Sequence, residues 1–472
     1  MASERIPALK EIPSAPATRP VRQRGKYRLP PGLEHNLIWY AFRKFRPQDP
    51  ILLFEHLVEE YGPVSHYRIG PEDIVFLNDP ELIREVLVVQ NDNFVKERTV
   101  QRTKMLLGEG MITAEGEKHR TQRRVAQPAF HRRRIVGYAE TMLAETLRTC
   151  ERWRDGAQMD IAQEMIALTL EIVSQTLFDT RLGPEVQEIA AAINQIMGLY
   201  HFLVVLPAAE ALVNMPIPQM YRFRRAKARL DAVVQRMIEN RLRNGGEHED
   251  LLAMMLEGAG VSSLSDLNSE VSSYLRDQII TIFLAGYETT ANAMTWTWYL
   301  LSQNPEAEAR MHEEIDRVLG GRAATVEDVP QLKYVEMVLA ESMRLFPPAW
   351  AMGHKALDDF ELGPYYLPKG TTILIAQWIA HRDPEYWPEP LRFDPDRFHS
   401  NAPPRPKFSY FPFGAGGRQC IGESFAWMEG ILILATIAQQ WRLRLVPGHR
   451  VKPQPLITLR PKYGMLMTVH AR

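Results

Sequence analysis

A stretch of twelve residues near the C-terminus, 411–422, constrains this chain most: Phe-Pro-Phe-Gly-Ala-Gly-Gly-Arg-Gln-Cys-Ile-Gly. Glycine loses more backbone freedom on folding than any other residue. Four glycines within nine positions, Gly414, Gly416, Gly417 and Gly422, therefore belong where the backbone turns sharply or lies against something flat. The loop ends in Cys420, and an apolar run opens directly after it. A helix starting there favours a thiolate at its N-terminus, and the amides of a tight loop can donate to the sulfur and tune it. The residues admit three readings: a metal-bound thiolate, a buried cysteine beside a Gly-rich turn, and a nucleotide loop. The first is favoured. The last is weakest, because Gln419 stands where a dinucleotide fingerprint needs its third glycine and no clear strand precedes Gly414.

The rest of the composition narrows the class. Cys150 is the only other cysteine, which excludes a disulfide framework and any multi-cysteine zinc or iron–sulfur site; a reducing compartment is the default. The formal charge of −1, from 56 Lys+Arg against 57 Asp+Glu, argues against a nucleic-acid partner. No apolar stretch reaches ~18 residues, so no transmembrane anchor is expected, and no secretory leader is evident. A cytoplasmic location is the expectation. The length of 472 residues fits several domains or one large single-cofactor domain.

Residues 1–32 hold six prolines, seven Lys/Arg and two acids and read as an irregular lead-in that wraps the body; residues 33–472 read as the functional domain. A weakly amphipathic Leu33–Phe45 leaves a membrane-surface anchor as the minor alternative. Val64–Gly70 and Ile74–Asn78 read as a hairpin around Pro71-Glu-Asp, and Asp79-Pro80 starts a helix. Residues 117–255 are mostly helical by period, interrupted near Pro207 and Pro216–Pro218. A long helix is expected over 265–303 and another over about 329–345, stopped by Pro347-Pro348. Then come a turn at 366–370, a buried strand over Thr372–Ala376, a Pro- and aromatic-rich coil over 383–413, a helix over 421–440 and closing strands. The fold class is mainly α with a smaller β region.

Phe413-x-x-Gly416-x-Arg418-x-Cys420-x-Gly422 resembles the haem-binding signature of the cytochrome P-450 family, a pattern far more specific than a Gly-rich loop alone. The resemblance implies that Cys420 is the thiolate ligand of haem iron, with Pro412, Phe413, Gly414, Arg418, Ile421 and Gly422 around the haem b cofactor. Such a thiolate favours O–O cleavage.

Other segments fall in the same order as in that family. Ala285-Gly-Tyr-Glu-Thr-Thr290 lies in the middle of the long helix. Gly286 costs ~1 kcal/mol there relative to Ala, Glu288 is ionisable where the pattern is buried, and the threonines are poor helix formers; local violations of this kind mark functional sites. Taken alone, the stretch could equally be a Gly-packed crossing with Glu288 on a wet face. It is similar to the family's oxygen-binding segment, which implies that Thr289 hydrogen-bonds dioxygen, that Glu288 is the acid of the proton-delivery pair, that Ala285 contacts haem, and that Gly286 lets the helix open. Glu341 and Arg344 share a helix face at i, i+3, a weak observation alone. The resemblance joins them to Arg397 in a buried structural cluster holding the coil that leads to the cysteine loop. His119 and Arg123, at i, i+4, are implied partners of the haem carboxylates together with Arg418. The family more often has Trp at the position of His119 and Arg at that of His354.

The fold implied is the family's triangular helical prism with a small β region, in one large domain. The activity implied is insertion of one oxygen atom from O2 into an apolar organic substrate such as a fatty acid or terpenoid. Electrons would come from a separate ferredoxin or flavodoxin with its NAD(P)H-dependent reductase, since the 52 residues after Cys420 hold no reductase. Arg120, Arg124 and Arg132–Arg134 are either solvated charges or a docking site for that donor. The pocket would be lined by Met111, Ile112, Phe283, Ala349, Trp350 and Ile457, with Ala285, Thr289 and Ala351 nearby and Tyr200–Leu206 as its roof. The Ala285–Thr290 and Arg344–Pro348 stretches look more like fatty-acid-hydroxylase members than the compact bacterial terpene type. Rival readings are a peroxide-driven peroxygenase, which would not need Glu288 and Thr289, a lyase or isomerase of oxidised lipids, and a non-catalytic haem sensor.

Overall fold

Residues 20–33, 50–182, 185–200, 217–246 and 248–472 are described by the computed structural model. The chain divides into two compact units. The first comprises Met1–Arg98, Ala340–Cys420 and Lys452–Leu459; the second comprises Thr99–Leu339, Ile421–Val451 and Arg460–Arg472. The Tyr200–Leu206 roof, apart from Tyr200, and the Leu33–Phe45 segment, apart from Leu33, lie outside the described residues.

The first unit carries most of the sheet. Its five-stranded sheet runs in the order Val64–Ile69, Glu72–Leu77, Thr372–Ile375, Met352–Ala356, Phe94–Lys96. Thr372–Ile375 lies parallel to Glu72–Leu77, with Ile373 opposite Val75, and antiparallel to Met352–Ala356, with Ile373 opposite His354. Apolar residues run together in these strands because central strands are covered on both faces; Val75, Leu77, Ile373 and Ile375 are fully buried in one cluster. The hairpin turn is tighter than the sequence suggests. Glu72 and Asp73 already pair with Ile69 and Arg68, because Gly70, at φ +58°, supplies the positive φ that a two-residue loop needs. Asp79 caps the next helix by accepting the Leu82 amide at 2.9 Å, with Pro80 as its first residue.

The lead-in is not irregular throughout, which corrects the expectation for residues 1–32. Arg22–Arg24 and Tyr27–Leu29 form an antiparallel pair around Gly25, joined to Tyr365–Leu367 through Arg28 and Tyr366. Arg24 donates to both oxygens of Asp73, at 2.9 and 2.8 Å. Two strands of three residues are too short for a periodic signal.

The second unit is helical. Four of its helices matter below: α1 (Gly116–Ala126), α2 (Ile161–Phe178), α3 (Ser269–Gln303) and α4 (Glu423–Gln440). Helix α3 starts later than the period suggests, because Ser263 and Asp266 cap a separate 3-10 turn and Asn268 accepts the amides of Glu270 and Val271. Similarly Pro330 ends in a 3-10 turn, Val326–Gln331, so the helix expected from about 329 spans Lys333–Leu345. The helical stretch 117–255 is interrupted by a strand the sequence does not announce, Gln158–Asp160, which pairs with Leu466–Thr468. Among the described residues no helix is long and apolar enough to cross a membrane.

Candidate active site

The cysteine loop, in the first unit, is shaped by its backbone. The Cys420 amide donates to the Phe413 carbonyl at 2.9 Å and closes the loop. Gly414 and Gly416 hold φ +69° and +66°, the left-handed region that side chains disfavour. A Cβ on Gly416 would stand 1.9 Å from the Leu87 carbonyl oxygen, and one on Gly417 2.8 Å from Asn91 Oδ1. The loop therefore lies directly on the segment Glu85–Asn93, which only glycine permits. Phe413 and Pro412 are half-buried and Cys420 is exposed. Cys150 is the opposite case: it is buried, and burial pushes its thiol up to about 12.

Beside this loop the first unit gathers positive charge around a neutral imidazole. His354 is buried, and its Nε2 has no hydrogen-bond partner. Burial, with the charges of Lys96 and Arg418, pushes it down to about 3. Lys96 is its register partner across the sheet. A buried ring nitrogen without a hydrogen-bond partner is thus set near two cationic side chains. His354 thus stands with Arg418.

The same unit holds the expected structural cluster. Glu341 and Arg344 are fully buried, with Arg344 Nε and Nη2 at 2.6 and 2.8 Å from the two carboxylate oxygens. Arg344 Nη1 also donates to the carbonyls of His381 and Pro390, both at 2.8 Å. Arg397 Nε lies 3.4 Å from Glu341, and the Asp394 amide donates to the same carboxylate at 2.9 Å. The structure brings all three residues together and ties them to the coil that precedes the loop. Ala349, Trp350 and Ile457 are also neighbours: Trp350 Nε1 donates to the Leu456 carbonyl, and the Leu459 amide to that of Pro348, both at 2.9 Å. All three are half-buried.

The second unit holds the other expected residues. In the middle of α3, Ala285 is exposed and Thr289 half-buried, while Phe283, Leu284, Tyr287, Glu288, Thr290 and Ala291 are buried. Residues at i, i+4 share a face, so one narrow stripe of the helix is uncovered. The Thr289 hydroxyl donates to the Ala285 carbonyl at 2.7 Å. Glu288 is 1% exposed, and its Oε1 lies 2.8 Å from Arg460 Nε. The wet-face alternative for Glu288 is therefore excluded. Gly286 lies at a helix crossing: a Cβ there would stand 3.0 Å from Val173 Cγ2 of α2, and α3 is helical throughout Ser269–Gln303. The Thr169 hydroxyl of α2 donates to the Tyr287 carbonyl at 2.9 Å.

His119 is buried and Arg123 half-buried on one face of α1. Met111 is buried and Ile112 half-buried ahead of that helix; Ile421 and Gly422 lead into α4. Phe283 stacks on Phe178 with ring centroids 4.7 Å apart, which fills the packing between α2 and α3. Arg120 is paired with Glu117 and Arg134 with Glu249, whereas Arg124, Arg132 and Arg133 are exposed.

Two functional-site candidates escaped the sequence reading. Arg460, the partner of Glu288, has no motif around it. Glu429 is the one acid inside the apolar run Phe425–Ala438 of α4, a signal that was available. It is fully buried beside Thr290, and burial pushes it up to about 8.

Comparison with known proteins gives the family. The family profile described as Cytochrome P450 matches residues 29–468. Cyclooctatin synthase of Streptomyces melanosporofaciens is 38% identical over 403 residues, covering 84% of this chain and 87% of that protein. Cyclooctat-9-en-7-ol 5-monooxygenase of the same organism is 35% identical over 446 residues, covering 94% and 95%. Pentalenene oxygenase of Streptomyces avermitilis is 34% identical over 414 residues, covering 86% and 90%. These relatives correct the lean towards fatty-acid hydroxylases: the likeness is to terpene-type oxygenases.

Proposed function

The chain belongs to the cytochrome P450 family, and from that premise we propose that it is a terpenoid hydroxylase in which Cys420 holds haem b and Glu288 and Thr289 manage protons. It is a haem-thiolate monooxygenase acting on an apolar substrate. The residues present fit the cofactor. The exposed Cys420 ends a loop that only glycine can build, and the buried Nε2 of His354, with Lys96 and Arg418, suits a carboxylate of haem. Arg123 and His119 are the other candidates for that role. When bound, haem supplies oxygen activation, chemistry that no side chain of this protein can perform.

The protein's own residues do the rest. The Cys420 thiolate would hold the haem iron, and amides of the loop would tune its donation. The uncovered Ala285–Thr289 stripe offers a hydroxyl in an apolar setting, and Glu288 behind it is the acid within one residue. Proton delivery by groups shielded from bulk water raises the rate and suppresses leakage. Met111, Ile112, Ala349, Trp350 and Ile457 are the residues proposed to meet an apolar substrate. Electrons come from a separate ferredoxin or flavodoxin system in the cytoplasm, with the exposed Arg124, Arg132 and Arg133 as its docking charges.

The observation that carries the substrate class is the extent of the likeness to the two cyclooctatin-related enzymes and pentalenene oxygenase. A titration of the purified holoprotein with polycyclic diterpene alcohols, sesquiterpene hydrocarbons and long-chain fatty acids tests it by the low-to-high spin change in absorption. A terpenoid should produce the change at micromolar concentration, and a fatty acid should not. The reverse ranking would overturn the assignment.

A further inference from the structure

Where α2 ends, three titratable side chains gather that the oxygenase reading leaves unused. Among the described residues, Asp179, His248 and Asp250 are the one group of three His, Cys, Asp or Glu side chains close enough to share a cation. A carboxylate oxygen of each aspartate and a ring nitrogen of His248 all lie within 4.8 Å of one another. All three residues belong to the second unit. Asp179 ends α2 in the left-handed region, at φ +43°. Gly245 and Gly246, at φ +60° and +104°, turn the chain after the helix Pro218–Asn244. Asp250 caps the helix Leu251–Gly258 by accepting the Ala253 amide at 2.9 Å.

The contacts of His248 set one ring nitrogen against a group of its own kind. Its Nε2 lies 3.1 Å from the Gly245 carbonyl oxygen, and its Nδ1 3.1 Å from Asp179 Oδ2. Both oxygens only accept, and a neutral imidazole has a single N–H to give. With that hydrogen on Nε2, towards the carbonyl, Nδ1 presents a lone pair to a carboxylate. A metal-bound histidine has this arrangement, one nitrogen on the cation and the other donating to a backbone carbonyl. Ligand atoms of a tetrahedral zinc shell stand about 3.3 Å apart, close to the 3.1 Å of this pair.

Asp250 supplies an independent sign. It is 8% exposed, and its Oδ2 makes no hydrogen bond, although Arg241 Nη2 lies 2.7 Å away. Arg241 Nη1 donates to Asp250 Oδ1 at 2.9 Å and Nη2 to the Phe178 carbonyl at 2.7 Å, so the arginine fixes Asp250 at the end of α2. With Arg241 offsetting one carboxylate, the group keeps one net negative charge to meet a dication.

We propose that Asp179, His248 and Asp250 bind a zinc-class divalent cation, with water completing the shell, and so clasp the end of α2 to the turn before Leu251–Gly258. An imidazole with two carboxylates suits zinc, whereas magnesium and calcium take oxygen shells. The site is independent of the haem chemistry.

The test dialyses chelator-washed holoprotein at neutral pH against Zn2+ alone and reads zinc per haem by elemental analysis. One equivalent should bind with a micromolar dissociation constant, and millimolar Mg2+ should not displace it. X-ray absorption at the zinc edge should show one imidazole among oxygen neighbours and no sulfur. Asp179→Asn, which keeps a residue that the left-handed region accepts, and His248→Gln should each weaken binding by more than about tenfold. No zinc uptake by the parent would overturn the proposal and leave His248 as a protonated partner of Asp179. Uptake that both variants retain, or a sulfur neighbour at the zinc, would put the metal elsewhere and overturn it equally.

Discussion

The loop 413–420 and the middle of α3 both present one reactive group from an apolar setting, by opposite means. The loop does it with backbone. Glycines at positive φ lie on the carbonyl of Leu87, an amide closes the ring, and the thiol is left exposed. The helix does it with side chains. Its backbone stays regular, and Glu288 is placed by an arginine 172 residues downstream. Backbone devices demand particular residue types at fixed spacing, whereas side-chain devices depend on which distant partner arrives.

Substitutions can break this contrast, beginning with the loop. Gly416→Val puts a branched side chain at φ +66° and 1.9 Å from a carbonyl oxygen. Strain and overpacking together should cost on the order of 5 kcal/mol, read as loss of haem incorporation and a lowered unfolding midpoint. The same substitution at Gly414, where the nearest side-chain atom is 3.7 Å away, should cost only the φ strain, so that a comparable loss at both sites would show that contact with Leu87 is unimportant.

Helix α4, which packs its Glu429 beside Thr290 of α3, answers to charge. Glu429 titrates near 8 in the folded protein against an ordinary carboxyl value of 4.5. Between those pH values the folded protein holds a proton that the unfolded chain has released. The stability contributed by this group is therefore whole below about 4.5 and is lost as pH rises to about 8. Denaturant unfolding of Glu429→Gln should lack that fall, a gain over the parent of a few kcal/mol at the alkaline end, at about 1.4 kcal/mol per unit. Parallel pH profiles for the two proteins would contradict it.

Smaller effects sharpen the comparison. Gly286→Ala gains ~1 kcal/mol of helix propensity but sets a Cβ 3.0 Å from Val173 Cγ2. Pairing it with Val173→Ala should relieve the contact, and additivity of the two in thermal unfolding would show that the crossing is loose. Thr289→Ala should change stability by less than about 1 kcal/mol while diverting electrons from product to peroxide. Unchanged peroxide leakage would remove Thr289 from the proton path.

Legibility in the sequence follows the same division. The loop, the long helix and the capped start at Asp79 were readable because glycine, proline and capping side chains act locally. Glu341, Arg344 and Arg397 were placed together by family resemblance, and their hydrogen bonds to the carbonyls of His381, Pro390 and Arg392 needed the structure. Arg460 was not readable, since nothing near it in sequence refers to Glu288. The strands at 22–29 and 158–160 were hidden by their brevity. Gly286 carries a signal with two readings, because a glycine that admits a neighbouring helix and one that loosens its own helix look alike in sequence.

The central claim is that Cys420 is a thiolate ligand presented by this loop. The reduced, carbon-monoxide-bound absorption spectrum of the purified protein, with Cys420→Ser beside it, tests that most directly. The account predicts a strongly red-shifted Soret band in the parent and its loss in the variant. A parent without the shift, or a variant that keeps it, would contradict the account.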